Sequence, residues 1–140
     1  SGMSLMQVQE VQRGLFYYKG LSWYRNRRFA TSLTKAGWYL IRKTPVPDST
    51  SKLFVAQCRL LDPEIEEIPC MSVLAQAILI HYLETNERLF ERGYVRVSNV
   101  AFGGGNVSLG AFNSTGLFID GPHVTGAHDN LGLASARLPG

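Results

Sequence analysis

Long apolar runs are missing from this chain. The longest, Val73 to Ile80, is broken by Gln76 and falls short of the about 20 residues that a membrane-spanning helix needs. No membrane partner is therefore expected. Cysteine is scarce as well. Cys58 and Cys70 are the only two in 140 residues and do not form a C-x-x-C pair, which excludes a disulfide framework. They read as two buried thiols. A bridge between them needs an oxidising compartment, and no signal peptide is legible, so a cytoplasmic location is expected.

Catalytic signatures are equally absent. There is no G-x-S-x-G elbow, no H-E-x-x-H pair and no EF-hand loop. "GGGN" (Gly103–Asn106) invites a phosphate-loop reading. A Walker loop, however, needs a lysine and a Ser or Thr opening a helix. Residues 94–140 contain no lysine, and the residues after "GGGN" read as a strand. The dinucleotide fingerprint fails for the same reason, and a hairpin loop is left. No cofactor is expected. Asn106 and Asn113 fit the glycosylation sequon, which has meaning only in a secretory chain.

The composition is that of an ordinary globular protein, 45% apolar and 18% charged, far from that of a disordered chain. A chain of this length fits one domain with a real core. Ser1 and Gly2 precede Met3 and read as a cloning remnant, so residues 3–140 are taken as one compact α+β domain. The net charge of +3 hides an asymmetry. Residues 1–50 hold eight Lys/Arg against two Asp/Glu, whereas residues 51–93 hold four against seven. A uniformly basic nucleic-acid coat is not distributed this way. A basic and an acidic face can pair within the fold or between subunits.

The apolar spacing of Leu5, Val8, Val11, Leu15 and Tyr18 predicts an amphipathic helix from Ser4 to Tyr18, weakened by Gly14. "YYKGL" reads as a turn at Lys19-Gly20. A second helix is expected from Ser22 to Lys35, with Ser22 as N-cap and Gly37 closing it. The aromatic richness of "LFYYKGLSWY" also allows a hairpin. "WYLIRK" (Trp38–Lys43) reads as a strand that Pro45 and Pro47 end. A short helix is expected over Lys52–Leu61, then the acidic loop "DPEIEEIP". The helix over about Pro69–Thr85 is apolar on nearly every side and is expected to be buried. After Gly93, "YVRVSNV", "NVSLGAF" and "GLFID" alternate with period two between glycine-rich turns, the pattern of an antiparallel meander. "LGLASARL" can add a fourth strand. The expected fold is α+β: a buried central helix plus supporting helices packed on a three- to four-stranded antiparallel C-terminal sheet.

Four places can carry chemistry. "IDGPHVTGAHDN" gathers Asp120, His123, His128 and Asp129, all metal-capable, in a segment rich in turn residues. It reads first as a structural loop. His123, His128 and Asp129 are the catalytic candidates of a metal-assisted hydrolase. "WYRNRRF" interleaves Arg25, Arg27 and Arg28 with Trp23, Tyr24 and Phe29. With Lys35 it offers a single-stranded nucleic-acid surface; a solvated helix face, or pairing with the acidic Glu64–Glu67 loop, is the preferred reading. His81 reads as a hydrogen-bonded core histidine with Glu84 at i+3. Finally, Trp23, Tyr24, Arg27, Arg28 and Trp38 are the aromatic and arginine anchors that interfaces favour. The preferred expectation is a non-enzymatic interaction module, a homo-oligomer or the partner of another protein. A nucleic-acid-binding domain and the hydrolase are the alternatives.

Overall fold

The structure, a computed structural model, describes residues 2–18, 22–35, 37–100, 105–121 and 126–138. Ser4 opens the first helix, α1 (Leu5–Val11). Its hydroxyl accepts from the Gln7 N–H, and the Gln7 side chain accepts from the Ser4 N–H, a reciprocal capping box. The expected helix to Tyr18 stops early. Gln12 leaves helical geometry, and a 3-10 turn over Arg13–Leu15 replaces the last turns.

The second expected helix is reduced to α2 (Arg28–Thr31), and Ser22 is buried rather than capping it. The hairpin alternative fails too, because residues 22–35 form no strand. The Lys19-Gly20 turn lies outside the described residues. The physical reason is aromatic. Trp23, Tyr24 and Phe29 pack on one another in edge and tilted ring contacts, and Tyr24 meets Tyr18, which in turn lies against Phe118. Burying large rings stabilises more than the weak helix propensity of this stretch.

The strand expected over 38–43 is two residues long, β1 (Leu40–Ile41). α3 (Phe54–Cys58) falls inside the expected helix, and the acidic loop contributes β2 (Glu66–Glu67). The strongest helix stands as α4 (Met71–Thr85), ended by Asn86 in the left-handed region at φ 64°. Its first half is buried. Its second half is not: Ile80 is 54% and Leu83 56% exposed, so the helix is not covered on all sides.

The meander stands as β3 (Tyr94–Val100), β4 (Asn106–Asn113) and β5 (Gly116–Asp120), with antiparallel pairing throughout. Gly110 makes the close approach of β4 to β3 possible. Its φ is +153°, and a Cβ there would lie 2.1 Å from the Gly93 carbonyl oxygen. The fourth strand, β6 (Leu131–Leu133), departs from the antiparallel expectation and runs parallel to β3. The order β5-β4-β3-β6 puts it at the edge opposite β5, so no tight turn dictates its direction. The chain then leaves this sheet. β7 (Ala136–Arg137) pairs with both β1 and β2 in a second sheet ordered β1-β7-β2. One buried cluster joins the halves: Leu5, Phe16 and Tyr24 with Leu74 and Ile78 of α4 and Val95, Val97, Leu109 and Ile119 of the sheet.

Candidate functional site

The apolar run ahead of Arg42, Lys43 and Pro45 finds a partner only for Leu40 and Ile41, which pair with Arg137 and Ala136 of β7. Trp38 and Tyr39 continue along the same edge without cover. Trp38 is 98% exposed and Leu40 67%. A tryptophan normally buries most of its large apolar surface, so a ring left wholly in water sets this surface apart.

Two hollows flank it. One of about 550 Å³ lies between Trp38, Tyr39 and Ile41 and the flank of α4, with Val73, Ala77 and Ile80 as its apolar wall. Lys35, His81 and Glu84 bring polar groups to it. The other, about 730 Å³, sets Trp38, Tyr39 and Leu40 against Ile65 and Leu138, with Glu64 and Arg137.

His81 is not the core histidine expected. It is partly exposed, and its Nε2 lies 2.6 Å from Glu87 Oε1 rather than pairing with Glu84. The left-handed Asn86 folds the chain back and brings Glu87 to it. That hydrogen bond holds the Glu87 carboxyl below its ordinary value, with the Lys43 and His81 charges adding.

The basic segment divides. Arg25, Arg27 and Arg28 are exposed. Tyr24 is fully buried and donates to the Gln9 side chain, so it is withdrawn from any binding surface. Trp23 is half-buried, its Nε1 donating to the Ile119 carbonyl at 3.1 Å, and Phe29 is buried. Of the rings interleaved with these arginines, Tyr24 and Phe29 therefore belong to the core and Trp23 packs against it. The exposure of these arginines fits the solvated face that is one of the two arrangements expected, and the acidic loop meets Arg42, which reaches Glu66 at 3.9 Å.

Of the metal-capable residues of "IDGPHVTGAHDN", the structure describes Asp120, His128 and Asp129. Asp120 ends β5, its carboxylate accepts from the Gly121 N–H at 2.8 Å, and its charge bears on Tyr18 and Tyr94. His128 and Asp129 are exposed, and the His128 carbonyl accepts from the Ser51 and Leu131 N–H groups. His123 lies outside the described residues, as do Gly103 and Gly104. Among the described residues no group of three His, Cys, Asp or Glu is placed to hold a metal ion. Cys58 and Cys70 are free and half-buried rather than fully buried. Burial pushes the Cys58 thiol up, against the opposing charge of Arg96. No helix among the described residues is long and apolar enough to cross a membrane.

Of the anchors read from the sequence, Trp38 and the arginines stand at the surface. Tyr39, Leu40, Ile80 and Leu83 join them without having stood out in the sequence. Four apolar residues in "WYLI" immediately before "RKTPVP" were the available signal, since a proline-stopped strand is an edge strand. No protein-family model, no curated protein and no solved structure matches the chain.

Proposed function

We propose that the protein is a non-enzymatic interaction module that self-associates through the surface around Trp38. The observation that carries this reading is the 98% exposure of Trp38 between two hollows. Tryptophan, tyrosine and arginine dominate interface hot spots, and Tyr39, Arg42 and Arg137 border the same surface. A native mass spectrum of the untreated protein and a Trp38→Ser variant test it. A bare multimer is expected. The variant keeps its stability to within about 0.5 kcal/mol, because the ring touches little of the fold. It weakens assembly by about thirtyfold, the effect of losing a hot spot of about 2 kcal/mol. A subunit carrying a stoichiometric metal or small ligand, or an assembly indifferent to Trp38→Ser, overturns the reading.

A second reading has one observation in its favour: Arg25, Arg27 and Arg28 all lie on the surface. It predicts binding to single-stranded nucleic acid that weakens steeply with salt. Without exposed rings among these arginines for bases to stack on, it is the weaker of the two.

A further inference from the structure

The self-association reading does not say how two copies meet, and the second sheet supplies an answer that rests on that reading. We infer that two copies join edge to edge through β1, across a two-fold axis at Ile41, with the partner's β1 lying in the cleft beside α4.

The peptide groups of β1 alternate in direction. The Arg42 N–H donates to the Ser135 carbonyl at 3.0 Å. In an antiparallel ladder the bonded pairs alternate, so Leu40 also faces β7 and Ile41 faces away from it. Order β1-β7-β2 leaves β1 at the edge, and among the described residues the Ile41 N–H and C=O meet no hydrogen-bond partner. The opposite edge is different. The Leu138 N–H donates to the Ile65 carbonyl, which makes Glu66 the outward residue of β2, and the Glu66 N–H is already taken by the Asp62 carbonyl at 2.8 Å. Glu64, Glu66 and Glu67 add like charge along that side. Charge and self-capping are how proteins close a sheet edge. This sheet has one closed edge and one open, apolar one.

A second copy fits the open edge better than an unrelated strand does. A residue whose N–H and C=O both point outward pairs, across a two-fold axis, with its own counterpart and exchanges two hydrogen bonds. Both copies are then satisfied at once. The two-fold axis sets the register: Leu40 stands opposite Arg42 of the partner subunit, and Tyr39 opposite Lys43 of the partner subunit. Each charged stem meets an apolar or aromatic side chain, and no like charges face one another. Pro45 stops the ladder from lengthening. The partner's strand covers Ile80, the half-exposed wall of the cleft.

Three measurements test the pairing. In a Cys58→Ser, Cys70→Ser background, Leu40→Cys and Arg42→Cys proteins are mixed and oxidised. A disulfide-linked dimer is expected from the mixture and not from either protein alone, since only the mixture sets two thiols opposite. Both positions are at the surface, so neither change threatens folding. Exchange of the Ile41 amide is expected to slow at least tenfold as protein concentration rises through the dimerisation range. Ile41→Pro removes the outward N–H while sparing the bonds of Leu40 and Arg42 to β7, and is expected to give folded monomer. A dimer that dissociates on Trp38→Ser, yet fails to cross-link and leaves Ile41 exchanging freely, removes the β1 pairing and keeps the interaction reading. An assembly indifferent to all of these changes removes both. A chain monomeric at every concentration also overturns the pairing.

Discussion

Arg96 is only 2% exposed and is the largest side chain fully withdrawn from water. Its Nη1 donates to the Lys52 carbonyl at 3.1 Å and to Gln57 Oε1 at 2.9 Å, and its Nη2 to the Gly126 carbonyl at 2.6 Å. Burial lowers its pKa from the ordinary value, against the opposing charge of Cys58. Alternation with Val95 and Val97 places it on the opposite face of the strand, where solvent is the simple expectation. The alternation is legible; the cover over the second face is not, because that cover comes from α3 and the turn before it, distant in sequence. Arg96→Met strips a donor from three acceptors, of which Gln57 Oε1 is fully buried and the Lys52 and Gly126 carbonyls partly so, at about 1–3 kcal/mol for a buried group left unsatisfied. A fall of at least that size in unfolding free energy, read from urea midpoints, is expected, and an unchanged midpoint would contradict the clamp. Glycines give a matched pair at the same scale. Gly116 has φ +118°, and a Cβ there would sit 2.5 Å from the Phe16 carbonyl carbon, whereas one at Gly14 meets nothing within 4 Å. Gly116→Ala is expected to cost more than about 2 kcal/mol through strain and clash. Gly14→Ala is expected to be neutral or to stabilise by up to about 1 kcal/mol. Equal melting temperatures for the two variants would refute the contrast.

Elements differ in how openly the sequence announces them. The meander is legible because period two and glycine-rich turns are local signals, and α4 because its apolar density is high over four turns. Everything set from far away is hidden. β6 runs parallel because its partner is β3 rather than β5, and β1 stays short because only β7 pairs with it. The same limit applies to the candidate site. Trp38 is conspicuous as a residue type, yet the openness of Ile41 depends on a strand from the far end of the chain. In α4 the pattern of apolar residues overstates burial, since Leu74 is fully buried and Ile80 is 54% exposed. Leu74→Ala is therefore expected to cost about 2–5 kcal/mol. Ile80→Ala, at concentrations where the chain is monomeric, costs less than about 1 kcal/mol. Similar losses at both positions, measured by chemical denaturation, would mean that the helix is covered after all.

Across the whole molecule, the N-terminal region has little regular structure and is held to the sheet by rings. Tyr17 and Tyr18 lie against Phe118, Trp23 bonds to Ile119, and Tyr24 sits beneath them in the core. Those phenols tie stability to pH. Burial raises the Tyr24 pKa strongly from 10.0, with the neighbouring Tyr18 adding, and burial likewise raises Tyr18 and Tyr94 near Asp120. A raised folded value means that the unfolded chain gives up its protons first as pH climbs. The stabilisation is whole below pH 10.0, the ordinary value, and drains away as pH rises from there towards the folded values. Unfolding free energy should then be flat through neutral and mildly alkaline pH and fall increasingly steeply above that point. Tyr24→Phe isolates the largest contributor. At pH 7 it loses one buried hydrogen bond to Gln9, worth about 1 kcal/mol. Above pH 10.0 its stability should decline less steeply than that of the parent, leaving Tyr18 and Tyr94 to supply the remaining slope. Urea midpoints taken across this range decide it. Parallel curves for parent and variant would show that the Tyr24 phenol is not what fastens the N-terminal region against alkali.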